Sequence, residues 1–254
     1  MIKIVLCGAA GRMGREIINA TQELEDIKLI AGIEAKGSNF VGSTISDVKI
    51  YDDILAVIKD AECVVDFTNH TATRENLRLV KKYKKPWVIG TTGFSQTELG
   101  EIKDLSKDFP ILLSANMSVG VNHLYKLVKS SVKSLSDYDI EIIETHHRGK
   151  KDAPSGTAKV IGQIISELKP DAKFVYGREG TVGERNGKEV CINAVRGGDV
   201  VGEHRVLFFG NGEFIELRHF ATSRRCFTSG TVAAVRFIVN KSSGLYRMKD
   251  LLSK

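Results

Sequence analysis

The chain has 254 residues, 42 % hydrophobic and 27 % charged, enough to bury one large core or two modest ones. Its formal charge of +6 is spread widely, with KKYKK (Lys81 to Lys85) as the tightest run outside one segment described below. No aromatic–basic platform or recognition module accompanies that charge, which argues against a nucleic-acid binder and fits small anionic ligands better. No apolar run has the length of a membrane-spanning helix.

In chain order, MIKIVLCGAAG at the N-terminus is apolar but runs straight into a glycine loop with no small-residue cleavage site. It reads as a first strand, Ile2 to Cys7, rather than a signal peptide. A helix follows over Gly11 to Leu24, then strands at Ile27 to Ile33 and Cys63 to Phe67. A helix through Thr73 to Tyr83, a strand at Trp87 to Ile89, a helix over Glu98 to Ser106 and a strand at Ile111 to Ala115 complete the first half. Strands alternating with helices imply a parallel sheet with right-handed crossovers.

After Asn116 the texture changes. An amphipathic stretch, Val121 to Leu135, precedes a strand at Asp139 to Ile143, and a helix is expected over Thr157 to Leu168. Lys173 to Phe220 alternates apolar and polar residues between many glycines, which reads as a mostly antiparallel sheet with long loops. A helical run, Gly230 to Val239, comes last. Cys7, Cys63, Cys191 and Cys226 are scattered and form no C-x-x-C, as expected for reduced thiols of a cytoplasmic protein with no structural zinc.

Two stretches carry chemistry. GAAGRMG, Gly8 to Gly14, follows a strand and opens a helix, the context of a dinucleotide fingerprint, although its spacing is G-x-x-G-x-x-G. Glycines let backbone approach a pyrophosphate, and the helix terminus supplies amide donors. A plain tight turn would leave the same glycines. Glu34, at the end of the second strand, strengthens the cofactor reading because an acid there accepts the adenosine ribose hydroxyls. The same carboxylate repels a 2′-phosphate, whereas Lys36 could pair with one. Use of both NADH and NADPH is therefore expected, with NADH at least competitive.

The second stretch is IIETHHRGKKDAPSGTA, Ile142 to Ala158. It crowds His146, His147, Arg148, Lys150 and Lys151 together, an arrangement that calls for something anionic. If the strand persists, one histidine faces a site and the other packs; if the chain turns, both are presented. A solvated basic loop is the bland alternative. Ser155 is a good N-cap, and the Gly156 and Thr157 amides with the Thr157 hydroxyl can grip a carboxylate. Beside a hydride donor, this suits reduction of an activated double bond or imine, with a lysine or histidine supplying the proton.

These pieces together resemble the dihydrodipicolinate reductase family of the diaminopimelate route to lysine. The resemblance rests first on E-x-H-H-R-x-K-x-D-A-P-S-G-T-A at Glu144 to Ala158, then on GAAGRMG, VVDFT at Val64, VIGTTGF at Val88, SANMSVGVN at Ser114, REGTVGER at Arg178 and AVRGGDVVGEH at Ala194. It implies an α/β chain: a Rossmann-like parallel-sheet dinucleotide-binding domain (1–117 and 227–254) plus an α+β domain (118–226) whose open mixed sheet binds substrate and builds a homotetramer. It implies that Gly8, Ala9, Ala10, Gly11, Arg12 and Met13 cradle the pyrophosphate and Glu34 the ribose. Gly90, Thr91 and Thr92 would lie along the nicotinamide, as would Ser114, Ala115, Asn116 and Met117. His146 would be the acid–base residue, Lys150 the proton donor, and His147, Gly156 and Thr157 the ligands of a cyclic dicarboxylate. Two positions depart from the family pattern: Ala35 replaces a basic residue, and Asn69-His70 replaces a pair such as Arg-Pro. Two rivals stand beside this reading, a nicotinamide-dependent reductase of another imino or keto acid and a non-enzymatic NADH sensor.

Overall fold

The computed structural model describes residues 1–252; the last two residues of the C-terminal span expected in the dinucleotide-binding domain lie outside them. In chain order the elements are β1 (Ile2–Cys7), α1 (Arg12–Gln22), β2 (Ile27–Ile33), β3 (Thr44–Ile45), β4 (Val48–Tyr51), β5 (Cys63–Asp66), α2 (His70–Val80), β6 (Trp87–Ile89), α3 (Gln96–Leu105), β7 (Pro110–Leu113) and α4 (Val119–Ser134). β8 (Asp139–His146), α5 (Gly156–Leu168), β9 (Lys173–Val175), β10 (Glu189–Arg196), β11 (Gly202–Gly210) and β12 (Glu213–Ala221) follow. α6 (Arg225–Ile238), β13 (Gly244–Tyr246) and α7 (Met248–Leu251) end the series. Two compact units result, one from residues 1–119 and 224–254, the other from 120–223.

The first unit is a doubly wound sheet of order β13-β7-β6-β5-β1-β2-β4-β3, parallel except for the short β3–β4 hairpin. Both faces of its central strands are buried, which is why they read as unbroken apolar runs. Ile4, Leu6, Val65 and Val88 pack with Ile17 and Ile18 of α1 and Val235 and Ile238 of α6. Their neighbours Val5, Val64, Trp87 and Ile89 face the opposite layer with Leu77 of α2 and Ile102 of α3. β1 lies between β2 and β5, so the strand order reverses there, and the carboxyl ends of β1, β2, β5, β6 and β7 share one edge. In such sheets ligands bind along that edge at the reversal.

The second unit is a five-stranded sheet of order β12-β11-β8-β10-β9. Here the expectation of a mostly antiparallel sheet is corrected. β10 runs parallel to both β8 and β9, and only β11 and β12 are antiparallel to their neighbours. The chain returns from β9 to β10 through the glycine-rich loop 176–188 rather than through a helix, so the sequence shows no crossover signature. Arg178 reaches back from that loop to Glu141 and Glu189, and Arg185 to Asp139, fastening the crossover to the sheet. One sheet face packs on α4 and α5 through Ile140, Ile142, Ile192, Val206, Phe208, Leu124, Val128, Ile161 and Ile165.

Candidate active site

In the first unit, the expected cofactor residues gather on the sheet's carboxyl edge. Gly8 turns the chain out of β1 at φ +81°, and a Cβ there would sit 2.7 Å from the Phe67 carbonyl oxygen. A Cβ on Gly14 would lie 2.2 Å from the Gly8 oxygen, so only glycine lets α1 pack this closely on the loop. Gly11 is the N-cap of α1 and no side chain caps it, which leaves first-turn amides available to an anion. Glu34 reaches across from the end of β2 and accepts the Ala10 amide at 2.7 Å, while Arg15 donates to the Ala10 carbonyl. The loop and the acid expected to hold a dinucleotide are thus in direct contact. The glycine cradle and the uncapped helix terminus fit a pyrophosphate.

Along the same edge, Gly90 lies against the Phe67 ring and Thr91 is buried. Ser114 donates from its amide to the Ile89 carbonyl and from its hydroxyl to the Asn116 carbonyl, shaping the 114–117 turn. Asp66, at the end of β5, organises these loops and was missed by the sequence reading. Its Oδ1 accepts hydrogen bonds from the Thr68 amide and from the Thr68, Thr73 and Thr91 hydroxyls. Its Oδ2 is buried without a partner. Burial pushes the Asp66 carboxyl up, against the pull of those hydroxyls. The DFT triplet was the available signal, but an acid in an apolar strand end shows its role only when three threonines converge on it. Asn69 caps α2 through the Ala72 amide, and His70 pairs with Glu98, so both residues of the Asn69-His70 departure have structural work.

In the second unit, β8 extends three residues beyond the expected Ile143. Its alternation therefore continues: Ile140, Ile142, Glu144 and His146 are buried on the face that carries α4 and α5. Register then lays Glu144 beside His204 of β11, and His204 beside His219 of β12, while His146 lies opposite Arg196 of β10. Of the two open readings of the histidine pair, the strand persists through His146, and the chain turns at His147, whose carbonyl accepts the Lys150 amide. His147 is half-buried in that turn.

Glu144 is the hub of this row. It is fully buried, and Arg196 grips it with two nitrogens at 2.8 and 2.7 Å. It also accepts the Ser155 amide at 2.9 Å and meets His146 Nδ1 at 2.5 Å. Burial alone would raise its carboxyl, but the bonds from His146, Arg196 and Ser155 hold it at about 2. His204 Nε2 pairs with the Ser155 hydroxyl at 2.8 Å, and its ring meets that of His146 edge to face at 5.2 Å. Burial, and then the neighbouring His146, push His204 down to about 3, so it is neutral at physiological pH.

Ser155 caps α5 through the Ala158 amide, as expected, and is itself held at the amide by Glu144 and at the hydroxyl by His204. Gly156 is exposed at the first turn of α5, with its amide placed for an anion. Thr157 is buried and its side chain hydrogen-bonds Tyr125 of α4. Lys150 Nζ pairs with Asp152 at 2.9 Å, which lowers the Asp152 carboxyl. The basic segment is thus an ordered turn leading to an anion-ready helix terminus. Glu144, Arg196 and His204 lay inside quoted motifs, and carrying the period of two past Ile143 would have placed the first on the buried face.

No helix among the described residues is long and apolar enough to cross a membrane. The comparisons with known proteins cover both units. Residues 2–117 match the family model "Dihydrodipicolinate reductase, N-terminus" and residues 120–252 match "Dihydrodipicolinate reductase, C-terminus". A 4-hydroxy-tetrahydrodipicolinate reductase of Geotalea daltonii is 44 % identical over 99 % of both chains. One of Aromatoleum aromaticum is 43 % identical over 99 % of this chain and 95 % of its own. Among solved structures, a dipicolinate-bound dihydrodipicolinate reductase from Paenisporosarcina sp. TG-14 superposes with a TM-score of 0.81 at 25 % identity, covering 97 % of each chain. With the glycine loop, the histidine row and the capped helix each falling inside a matched span, the chain belongs to the dihydrodipicolinate reductase family.

Proposed function

We propose that this chain reduces a cyclic unsaturated dicarboxylate of the dihydrodipicolinate type with NADH or NADPH, giving the tetrahydro product. The observation that carries the reading is the α5 terminus. Exposed Gly156 and buried His146 are tied to one another through Ser155 and Glu144. Dipicolinate, the ligand of the Paenisporosarcina relative, is a planar ring with two carboxylates. Such a ring suits a helix N-terminus for one carboxylate and the flanking cations for the other.

The residue roles follow from this. The amides of Gly156 and Thr157 bind a substrate carboxylate, and His147 helps to hold the ring. His146 and Lys150 hold and deliver the proton that the reduced substrate takes up. Gly8, Ala9, Ala10, Gly11, Arg12 and Met13 hold the pyrophosphate, and Glu34 exchanges the Ala10 amide for ribose hydroxyls. Gly90, Thr91 and Thr92 line the nicotinamide side with Ser114, Ala115, Asn116 and Met117. A reduced nicotinamide, when bound, supplies the hydride. The dinucleotide-binding domain is then 1–117 with 227–254, and the substrate domain is 118–226.

Two further points belong to the same reading. The sheet face of the second unit that lacks helices exposes Val195, Phe209, Phe214 and Phe220, which supports assembly into a homotetramer through that face. Sedimentation at several concentrations tests it. Four free thiols support a reducing compartment such as the cytoplasm.

The decisive experiment follows nicotinamide absorbance while a synthase condenses pyruvate with aspartate semialdehyde. Rapid synthase-dependent oxidation is expected with both cofactors, the NADH rate at least matching the NADPH rate because Glu34 disfavours a 2′-phosphate. No oxidation by folded protein that still binds NADH would reject the substrate. Lys150→Ala is expected to lose about 10²-fold or more in kcat while NADH affinity is kept. Unchanged turnover would remove Lys150 from the reaction.

A further inference from the structure

We propose that Glu144 is a positioning residue for the reduction: it holds His146 as the Nδ1–H tautomer and so leaves Nε2 as the nitrogen that exchanges the proton. This rests on the functional reading above and adds to it a residue that acts through His146 rather than on the substrate.

The argument begins with hydrogen-bond capacity. A carboxylate only accepts. Glu144 is fully buried and takes four donors, two from Arg196, one from the Ser155 amide and one from His146. With Arg196 fixed at 2.8 Å and the Ser155 amide at 2.9 Å, the carboxylate cannot swing away from the ring. The hydrogen at 2.5 Å must therefore sit on His146 Nδ1.

The other ring nitrogen is treated differently. His146 Nε2 faces Gly202 of β11, where an added Cβ would come within 3.0 Å of it. A side chain at 202 would press on that nitrogen, and glycine supplies none. His204, the imidazole edge-on to His146, is occupied with Ser155 and stays neutral, so it does not compete for the proton. The charged and titratable groups that the sheet register and the following turn bring to the pair are Arg196 on β10, His204 on β11, His219 on β12, and Lys150 with Asp152. Among the described residues, only Glu144 meets the His146 ring at hydrogen-bonding distance.

The proton balance is simple. Protonated His146 gives the Nε2 proton to the substrate, and the neutral Nδ1–H tautomer remains. A proton taken up from solvent, the one net proton the reduction consumes, restores Nε2–H, and Glu144 stays ionised throughout. Glu144 also fixes Ser155, so the acid–base ring and the carboxylate-binding helix terminus share one anchor.

Glu144→Gln tests this, because an amide nitrogen opposite Nδ1 forces the hydrogen onto Nε2. In ¹⁵N-histidine spectra, wild-type His146 is expected as the Nδ1–H tautomer and the variant as Nε2–H. The variant's kcat is expected to fall about 10²–10⁴-fold with NADH affinity unchanged. Arg196→Gln removes the same ion pair but leaves the Glu144–His146 bond, so it should keep the wild-type tautomer and lose less than about tenfold in kcat. An Nε2–H wild type, a Glu144→Gln kcat within about threefold of wild type, or equal losses in both variants would each overturn the proposal. If the wild type fails to turn over the cyclic dicarboxylate, the functional reading falls, while the spectra still decide whether Glu144 sets the tautomer.

Discussion

Asp66 and Glu144 are both fully buried carboxylates near the carboxyl end of a strand, one in each unit, yet their environments drive them in opposite directions. Asp66 has only hydroxyls and an amide around Oδ1 and nothing on Oδ2, and burial raises its carboxyl. Glu144 has a bidentate arginine, an imidazole and an amide, and it is held at about 2. Equal burial therefore does not decide whether an acid keeps its charge; the charge and number of its partners do. One site gathers loops around a group that tolerates neutrality, and the other depends on a permanent anion.

The largest expected consequence is in stability. Glu144→Ala strands Arg196 and is expected to cost about 3–5 kcal/mol. Asp66→Asn exchanges one unpaired buried atom for another and should cost about 1 kcal/mol or less. Trp87, the sole tryptophan, is buried in the first unit and reports its unfolding, while amide exchange in β8 reports the second. Equal costs at the two positions would erase the contrast.

Acid should widen the contrast. His204 is held at about 3 in the folded protein against an ordinary 6.5. The unfolded chain therefore takes up this proton first, and stability present above pH 6.5 is lost as pH falls toward 3. While only the unfolded imidazole is protonated, the loss is about 1.4 kcal/mol per pH unit. Glu144 adds a second loss below its ordinary 4.5, extending down to about 2. Asp66 acts with the opposite sign, since a raised folded value means that falling pH relieves a cost. The opening free energy of β8, obtained from amide exchange after correction for the pH dependence of intrinsic exchange, is expected to fall below pH 6.5 in wild type and to lose that slope in His204→Gln; an unaltered slope would refute the assignment.

The smallest change is steric. Gly202→Ala places a Cβ within 3.0 Å of His146 Nε2 and forces the ring to shift by a few tenths of an ångström. A loss of about tenfold in kcat with little change in NADH affinity is expected, because small displacements of a catalytic group are costly. Wild-type kcat in this variant would show that Nε2 needs no free space.

What could be read from the sequence followed from how local each signal was. The doubly wound unit was legible because its buried strands are unbroken apolar runs separated by helices, and the glycine loop with Glu34 indicated its edge. The β3–β4 hairpin and β13 escaped because strands of two, four and three residues are too short to show a period. The parallel pairing of β9 and β10 was misread because a glycine loop, tied down by Arg178 and Arg185, replaces the usual helix. At the site, Ser155 was legible as a cap from its neighbours alone. Arg196 and His204 meet Glu144 only through sheet register across distant segments, which no local pattern reveals.

The discontinuity of the first unit also bears on how the chain is made. β7 pairs with β13, and α6 packs on the same layer as α1, yet the whole second unit is encoded between them. During synthesis, residues 120–223 emerge as one continuous piece that can close its own core, while the first unit still waits for its last helix and edge strand. The nascent α1 face, with Ile17 and Ile18, has only the sheet strands to cover it until residues 225–238 leave the ribosome. A stall once β12 has emerged would therefore leave the histidine row finished in one unit while the other still shows an open apolar sheet face, the stage at which a chaperone has most to hold.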